Sequence, residues 1–120
     1  MRDFKSVRAW QDARNLVRAV YDATARFPWS DQKGIGEQMR RAAVSVPSNL
    51  AEGAGRESDV EYARFVGIAL GSLNELESQL LIASDLALAD PDRLRALAAE
   101  VAQLRKMTWS LQRRLRRRAV

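Results

Sequence analysis

The chain has no cysteine and no histidine among its 120 residues. Without thiols it cannot form a disulfide, and without imidazole or thiolate ligands it lacks the usual kinds of zinc site. The same absences exclude Ser-His and Cys-His catalytic pairs, as well as the Glu-x-x-His motif with which helical bundles commonly bind iron. Few routes to catalysis or to a metal cofactor remain.

Carboxylates are the remaining candidates for catalysis, and their spacing does not favour it. Glu75 and Glu77 lie two positions apart, so they would point to different sides of a helix. The segment 53–58 lacks the third glycine of a dinucleotide-binding fingerprint. We therefore expect no enzyme, no catalytic residue, no cofactor and no metal. An enzyme would require activity that depends on Glu52, Glu61 or Glu75.

Long apolar runs are also missing. None approaches the roughly 18 residues that a membrane-spanning helix needs, and residues 1–5 lack the apolar core of a signal peptide. We therefore expect a cytoplasmic protein with no membrane contact. Apolar residues make up 47% of the chain, which is enough for a core, and the length fits a single domain over residues 1–120.

The net charge of +5 is concentrated at the C-terminal end. The chain has 20 basic and 15 acidic side chains. Five of the basic ones, called the tail arginines below, account for the whole excess: Arg113, Arg114, Arg116, Arg117 and Arg118. Residues 48–100 are acidic by contrast. Because attraction to a polyanion depends on the potential within about 8 Å, this local charge matters more than the total.

Apolar periodicity predicts four amphipathic helices separated by short breaker clusters. They span about residues 7–27, 31–53, 59–88 and 91–117. Ser58 and Glu61 form a capping box at the start of the third helix, and Asp90 with Pro91 reads as the start of the fourth. Short links between long helices imply antiparallel neighbours. The predicted fold class is therefore all-α, an antiparallel up-down-up-down four-helix bundle.

Pro47 falls inside the second predicted helix. Proline at this position removes the hydrogen bond to the carbonyl of Ala43 and disfavours helical geometry at Val46. We therefore expect this helix to be kinked near Pro47, with a bend or a local break in place of a straight rod.

Two motifs resemble a known family. The first reads RRAAVSVPSNLAEGAGR over residues 40–56, and the second reads IALGSLNELESQL over residues 68–80. Together they resemble the four-helix-bundle family named for proteins encoded in intervening sequences of bacterial 23S rRNA genes, from Phe4 to about Leu88. The resemblance implies a ring-shaped homopentamer. A related group within the wider fold looks like the accessory proteins of diversity-generating retroelements, which partner reverse transcriptases.

A stripe of polar residues follows one side of the second predicted helix: Arg41, Ser45, Ser48, Asn49 and Glu52. Arg56, beyond the predicted helix end, could extend it. The family pattern matches at Arg41, Ser45, Asn49, Glu52 and Arg56. Small polar groups bracketed by charged residues can form a hydrogen-bonded network in an interface, or they can form an ordinary solvated helix face. If they form a network, we expect it to be structural and not catalytic.

The third predicted helix carries a second apolar side outside its core face. This arc holds Ala63, Gly67, Leu70, Gly71 and Leu81. Glycine inside a helix costs about 1 kcal/mol relative to alanine, so two glycines four residues apart need an offsetting contact. We expect that contact to be with another copy of the chain, which makes the protein a homo-oligomer. The alternative is a neighbouring helix of the same bundle.

The fourth predicted helix places an aromatic residue in the basic region. Trp109 lies outside the leucine stripe, beside arginines that could neutralise phosphates while its ring stacks on an unpaired base, worth about 1–3 kcal/mol per base. The candidate nucleic-acid-binding residues are Arg105, Trp109, Arg113, Arg114, Arg116, Arg117 and Arg118. Alternatively, the arginines complement the helix dipole or aid solubility, and Trp109 packs in a subunit contact.

These patterns predict a non-enzymatic homo-oligomer that binds RNA or single-stranded DNA through its last helix. The competing interpretation is a protein-interaction scaffold. In that case the acidic middle and the second apolar side recruit a protein partner, and the tail arginines are incidental.

Overall fold

A computed structural model describes residues 2–119 and shows an all-α four-helix bundle, which confirms the predicted all-α class and the four-helix architecture. The helices are α1 (Arg8–Thr24), the single turn α2 (Trp29–Gln32), α3 (Ile35–Ala54), α4 (Asp59–Asp85) and α5 (Pro91–Ala119). A 3-10 turn, Phe4–Ser6, precedes α1, and the described residues contain no strand. The bundle measures 47 × 19 × 19 Å. Residues 1 and 120 of the predicted domain lie outside the described range.

Contacts between neighbouring helices run in opposite directions along the chain. The contacting pairs are Ser45 with Ser72 and Gly53 with Tyr62 between α3 and α4, and Glu77 with Arg105 and Ala63 with Gln112 between α4 and α5. In each seam the residue number rises on one helix as it falls on the other, as between antiparallel neighbours. Helix α1 completes the bundle by contacting both α3 and α5.

The first predicted helix is too long and the second begins too early. Helix α1 ends at Thr24 because the chain then tightens: the Phe27 amide donates to the Thr24 carbonyl at 3.1 Å, a three-residue step. Proline follows at position 28. Gly34, with a non-helical backbone at φ −91° and ψ −108°, separates the single turn α2 from α3, so the predicted start at residue 31 is wrong.

Helix α4 ends at Asp85, three residues before the predicted end. Ala87 has φ 52°, in the left-handed region. The Leu88 amide donates to the Ala83 carbonyl at 3.0 Å across this reversal, and the Ala87 amide donates to Ser84. These two bonds form a Schellman-type helix end, for which glycine is the usual residue. The sequence has alanine there, so nothing in it indicates the turn.

Helix α3 runs without interruption from Ile35 to Ala54, with Pro47 inside it. No local break divides the helix at the proline. The bend predicted near Pro47 stays a prediction.

Helices α3 and α4 approach each other closely at Gly53. A Cβ atom added at Gly53 would lie 2.8 Å from the Cβ of Phe65 and 2.9 Å from the Cδ1 of Tyr62. Real Cβ atoms do not tolerate such distances, so only glycine allows this helix spacing. The contact also buries Tyr62, which is 2% exposed and whose hydroxyl has no hydrogen-bond partner within residues 2–119.

Candidate nucleic-acid interface

Trp109 lies on the outer side of α5 with half of its surface exposed. The guanidinium carbon of Arg113, one turn further along, lies 4.7 Å from the centre of the tryptophan ring. A cation at this distance over an aromatic face is attracted to it and favours one orientation of the ring. The structure therefore joins two of the predicted residues into an exposed aromatic–guanidinium pair.

All five tail arginines are exposed on the last turns of α5. Arg118 forms a salt bridge, because its Nε lies 3.3 Å from the Oδ2 of Asp59. Asp59 also binds Arg2 from the N-terminal segment. Within residues 2–119, the other four tail arginines form no salt bridge. Their positive charge is therefore not neutralised locally by the described chain.

Arg105 does not join this exposed group. Its two terminal nitrogens lie 3.0 and 3.2 Å from the two carboxylate oxygens of Glu77 on α4. This two-point pairing holds the guanidinium against the bundle, where it links α4 to α5. Arg105 is therefore a fixed ion-pair partner and does not present a free cation beside Trp109.

A cleft of about 500 Å³ lies between the start of α4 and the end of α5. Its lining residues are Val60, Ala63, Arg64, Arg116 and Ala119. Two arginines thus flank an apolar surface, and only one of them, Arg116, was predicted from the sequence. The sequence pattern did not reveal Arg64, because its place beside Arg116 depends on how α4 and α5 align, and the two residues are about 50 positions apart in the chain.

Phe65 is held between two arginines beside this cleft. The guanidinium carbons of Arg64 and Arg56 lie 4.5 and 4.8 Å from the centre of its ring. Each arginine also pairs with a carboxylate, Arg64 with Glu61 of the same helix and Arg56, just after α3, with Glu52 of α3. The hydrogen bond and charge of Arg64 hold the pKa of Glu61 below its ordinary value, so that carboxylate remains ionised at neutral pH.

The predicted polar stripe divides into a half-buried centre and two exposed ends. Ser45 and Asn49 meet Ser72 of α4: the two serine hydroxyl oxygens lie 2.8 Å apart, and the Asn49 amide donates to the Ser45 hydroxyl at 3.0 Å. Arg41 instead pairs with Glu37 at 3.1 Å in solvent. The network interpretation therefore fits Ser45 and Asn49, while the charged members form pairs along α3. Ser72 was missed, although it lies in the second motif.

The two ends of the predicted apolar arc on α4 have different surroundings. Ala63 is buried, and its carbonyl accepts a hydrogen bond at 3.3 Å from the Gln112 side chain of α5. Gly67 faces the same glutamine, since an added Cβ would lie 3.0 Å from its Nε2. For these two residues the contact is thus a helix of the same bundle. Gly71 has nothing within 4 Å of an added Cβ, and Leu81 is 64% exposed.

Leu70, the remaining member of the arc, is half-buried. The contacts of Ala63 with Gln112 and of Glu77 with Arg105 set the alignment of α4 and α5. That alignment places Gly71 level with the turn of α5 that carries Trp109. The exposed tryptophan and Gly71 therefore lie at the same level along the bundle axis.

Residues 2–119 contain no group of three or more acidic side chains arranged to hold a metal ion. None of their helices is both long enough and apolar enough to span a bilayer.

Comparison with known proteins identifies the family. The family profile described as 23S rRNA-intervening sequence protein matches residues 5–110. The match includes α1 to α4 and extends past Leu88, where the motif resemblance ends, into α5. It stops before the tail arginines, although it includes Trp109. No curated protein matches the chain. With nearly its whole length aligned, this chain belongs to the 23S rRNA-intervening sequence protein family.

Proposed function

We propose that this protein is a non-enzymatic helical bundle that binds RNA or single-stranded DNA through the basic end of α5. The observation that carries the proposal is the half-exposed Trp109 with Arg113 4.7 Å from its ring centre. Aromatic rings stack on any unpaired base, while neighbouring cations bind the backbone phosphates. Arg105 and Arg118 are not part of the site, because Glu77 and Asp59 hold them.

The exposed tryptophan also argues against the two simpler explanations of the tail. Cations in the last turn of a helix stabilise its dipole, and charged tails aid solubility. Neither effect requires a large aromatic ring in water beside the charges, and an exposed tryptophan reduces solubility. A stacking surface for bases accounts for both the ring and the charges.

Fluorescence anisotropy tests the charge contribution directly. The probes are labelled oligouridylate and oligothymidylate of about 12 nucleotides, a length typical of single-strand sites. Replacing Arg113, Arg114, Arg116 and Arg117 by alanine should weaken binding and reduce the slope of log Kd against log salt by up to about 3. The matched control replaces four exposed arginines elsewhere by alanine: Arg14, Arg18, Arg26 and Arg95. Equal binding by the tail variant and the intact protein, or no binding at low salt, would contradict the proposal.

The aromatic contribution has an equally close control. Trp29 is 72% exposed, and the Nζ of Lys33 lies 4.7 Å from its ring centre, so it forms a similar cation–aromatic pair on α2. Trp109→Ala should weaken binding about ten-fold through lost stacking. Trp29→Ala should leave binding unchanged. Equal effects of the two substitutions would show that α5 carries no specific stacking site.

We further propose that copies of the chain assemble through the outer side of α4. The support is the open space at Gly71 and the exposure of Leu81, which lies ten residues further along the same helix. An uncovered glycine and a large exposed apolar side chain on one helix suit contact with another subunit. Five subunits would match the expectation from the family resemblance. A ring of this kind would repeat the basic end of α5 and raise the affinity for a long strand.

Light scattering coupled to size exclusion measures this assembly. Gly71→Leu should lower the assembled mass, because the new side chain fills the space intended for a second copy. Gly67 is unsuitable for the same test, since a side chain there meets Gln112 within the bundle. Ser48→Leu, at an exposed position of α3, is the control. An intact protein that runs as a single copy at high concentration would refute assembly.

A protein-interaction scaffold is the second candidate, and one surface favours it. Ile82 in the last turn of α4 and Leu86, the residue directly after the helix, are both exposed, close to Leu81 and far from the basic end. Replacing Ile82 and Leu86 by glutamate should abolish retention of a defined protein from a nuclease-treated lysate. Retention by both forms, or by neither, would contradict the scaffold.

A further inference from the structure

The basic surface extends beyond α5. Arg116 on α5 and Arg64 on α4 line the same cleft, with Val60 and Ala63 between them. Val60 is largely exposed although it is apolar, while Ala63 is buried. The cleft therefore combines an apolar floor with a guanidinium group on each side. A nucleotide is complementary to it, because the flat face of a base can pack on the apolar floor while the negative phosphate binds the guanidinium groups.

The cleft also lies within reach of Trp109. From Trp109 to Arg116 is seven residues along α5, or about 10 Å at 1.5 Å per residue. A single strand covers this distance in about three nucleotides at a stacked spacing of 3.4 Å. A strand whose base stacks on Trp109 can therefore continue past Arg113 to the cleft without leaving the surface.

Arg64 has hydrogen-bonding capacity left for a phosphate. Its pairing with Glu61 uses Nε and Nη2, at 3.2 and 3.4 Å. The described contacts leave Nη1 available, and an exposed pair three residues apart on a helix is worth no more than about 1 kcal/mol. A phosphate can thus bind beside the carboxylate or replace it.

We propose that this cleft is a second nucleotide subsite on the same single strand that Trp109 stacks. One base lies on Val60 and Ala63, and its phosphate lies between the guanidinium groups of Arg64 and Arg116. The proposal rests on nucleic-acid binding at α5, and it extends the binding surface onto α4. No residue of α4 contributes to the predicted nucleic-acid site on α5. A substitution at Arg64 therefore tests the subsite separately from the α5 site.

A matched pair of arginines tests the subsite. Arg64 and Arg95 are both exposed, and each pairs with a carboxylate three residues earlier, Glu61 and Asp92. Only Arg64 lies at the cleft. With labelled oligouridylate and oligothymidylate, Arg64→Ala should weaken binding about five-fold and lower the salt slope by about 1, as for loss of one phosphate contact. Arg95→Ala should change Kd less than two-fold.

A second substitution tests the competition with Glu61. Glu61→Gln removes the carboxylate and should strengthen binding about two-fold, because it frees the whole Arg64 guanidinium. Weaker or unchanged binding by Glu61→Gln would contradict a phosphate at Arg64. Circular dichroism melts check that each variant folds, and Arg64→Gln, which keeps most of the side chain's packing, replaces Arg64→Ala if the latter is destabilised.

The outcomes separate the two proposals. If Trp109→Ala weakens binding while Arg64→Ala behaves like Arg95→Ala, the subsite is wrong and binding at α5 stands. If neither Trp109→Ala nor the four-arginine tail variant weakens binding, the α5 site itself fails and the subsite fails with it. Weakening by both Trp109→Ala and Arg64→Ala, with Arg95→Ala unaffected, supports the strand path across both helices.

Discussion

Glycines have different surroundings on the two flanks of α4. On the flank that faces α3, Gly53 of α3 lies so close to Tyr62 and Phe65 of α4 that a Cβ added to the glycine would lie 2.8 Å from the nearest side-chain atom. On the outer flank, an added Cβ at Gly71 would meet nothing within 4 Å. Both glycines lie in helices and belong to the family motifs. Only the first is required for the packing of a single copy.

This difference shows that a glycine motif does not have one meaning. Glycine in a helix costs roughly 0.5–1 kcal/mol relative to alanine wherever it occurs. At Gly53 the close packing of α3 on α4 offsets that cost within the chain. At Gly71 the described residues provide no such contact, and in the proposed assembly a second copy supplies it. The outer flank is therefore where we place the contact between subunits.

The largest expected effect tests the α3-facing flank. Gly53→Ala should lower the free energy of unfolding by about 2 kcal/mol, because the new methyl group overpacks the contact with Tyr62 and Phe65 by more than the gain in helix propensity. Gly55→Ala is the control, since its nearest contact would be 3.6 Å. Urea denaturation measures both. Equal stability of the two variants would show that the helices can move apart at no cost.

Tyr62 tests the same flank through its buried hydroxyl. Because that hydroxyl has no hydrogen-bond partner within residues 2–119, Tyr62→Phe should raise the free energy of unfolding by about 1.5 kcal/mol at neutral pH. Burial raises the pKa of Tyr62, although the charges of Arg2 and Arg114 oppose the shift. Thermal melts at neutral pH report the gain. A loss of stability would mean that the hydroxyl is hydrogen-bonded in solution.

The raised pKa also predicts a pH dependence. The unfolded chain ionises this tyrosine near pH 10 while the folded chain still holds the proton, so stability falls as the pH rises above about 10. Tyr62→Phe should reduce that alkaline loss. Tyr21→Phe, at an exposed tyrosine, should not. Identical alkaline profiles for the two variants would contradict the assignment.

The sequence predicts those features of this flank that depend on local signals. The capping box at Ser58 is confirmed, because the Glu61 amide donates to its hydroxyl at 3.1 Å. Asp90, directly before α5, likewise accepts from the Asp92 amide at 3.2 Å. The starts of α4 and α5 have such side-chain signals, whereas the end of α4 depends on a left-handed alanine, Ala87, that no pattern indicates.

The candidate site was only partly predictable for a different reason. Trp109 and Arg113 are four residues apart on one helix, so their contact follows from helical spacing alone. The pairing of Arg105 with Glu77 joins residues 28 positions apart. It depends on how far α4 is shifted along α5. Hydrophobic periodicity shows which side of a helix is buried but does not determine this shift. The same limitation concealed Arg64 at the cleft and Ser72 beside Ser45.

Ser72 allows a smaller test of the α3-facing flank. Ser72→Ala should lower the free energy of unfolding by about 1 kcal/mol through loss of its hydrogen bond with Ser45. The loss is modest because Asn49 still donates to the Ser45 hydroxyl. Ser78→Ala, at an exposed serine of the same helix, should be neutral or slightly stabilising. Urea denaturation measures both variants. The same effect for both substitutions would show that the hydrogen bond between Ser72 and Ser45 does not stabilise the fold.

The smallest expected effect concerns Gly71, on the outer flank. Gly71→Ala should raise the free energy of unfolding of a single copy by about 0.7 kcal/mol, because helix propensity improves and no neighbour lies within 4 Å of the new methyl group. The measurement requires a concentration at which light scattering reports one copy, since assembly adds to apparent stability. At higher concentration the same substitution should weaken assembly, as the methyl group keeps two copies apart. A gain in stability with unchanged assembly would place the subunit contact elsewhere, whereas a loss of stability in the single copy would mean that the outer flank is packed within the chain.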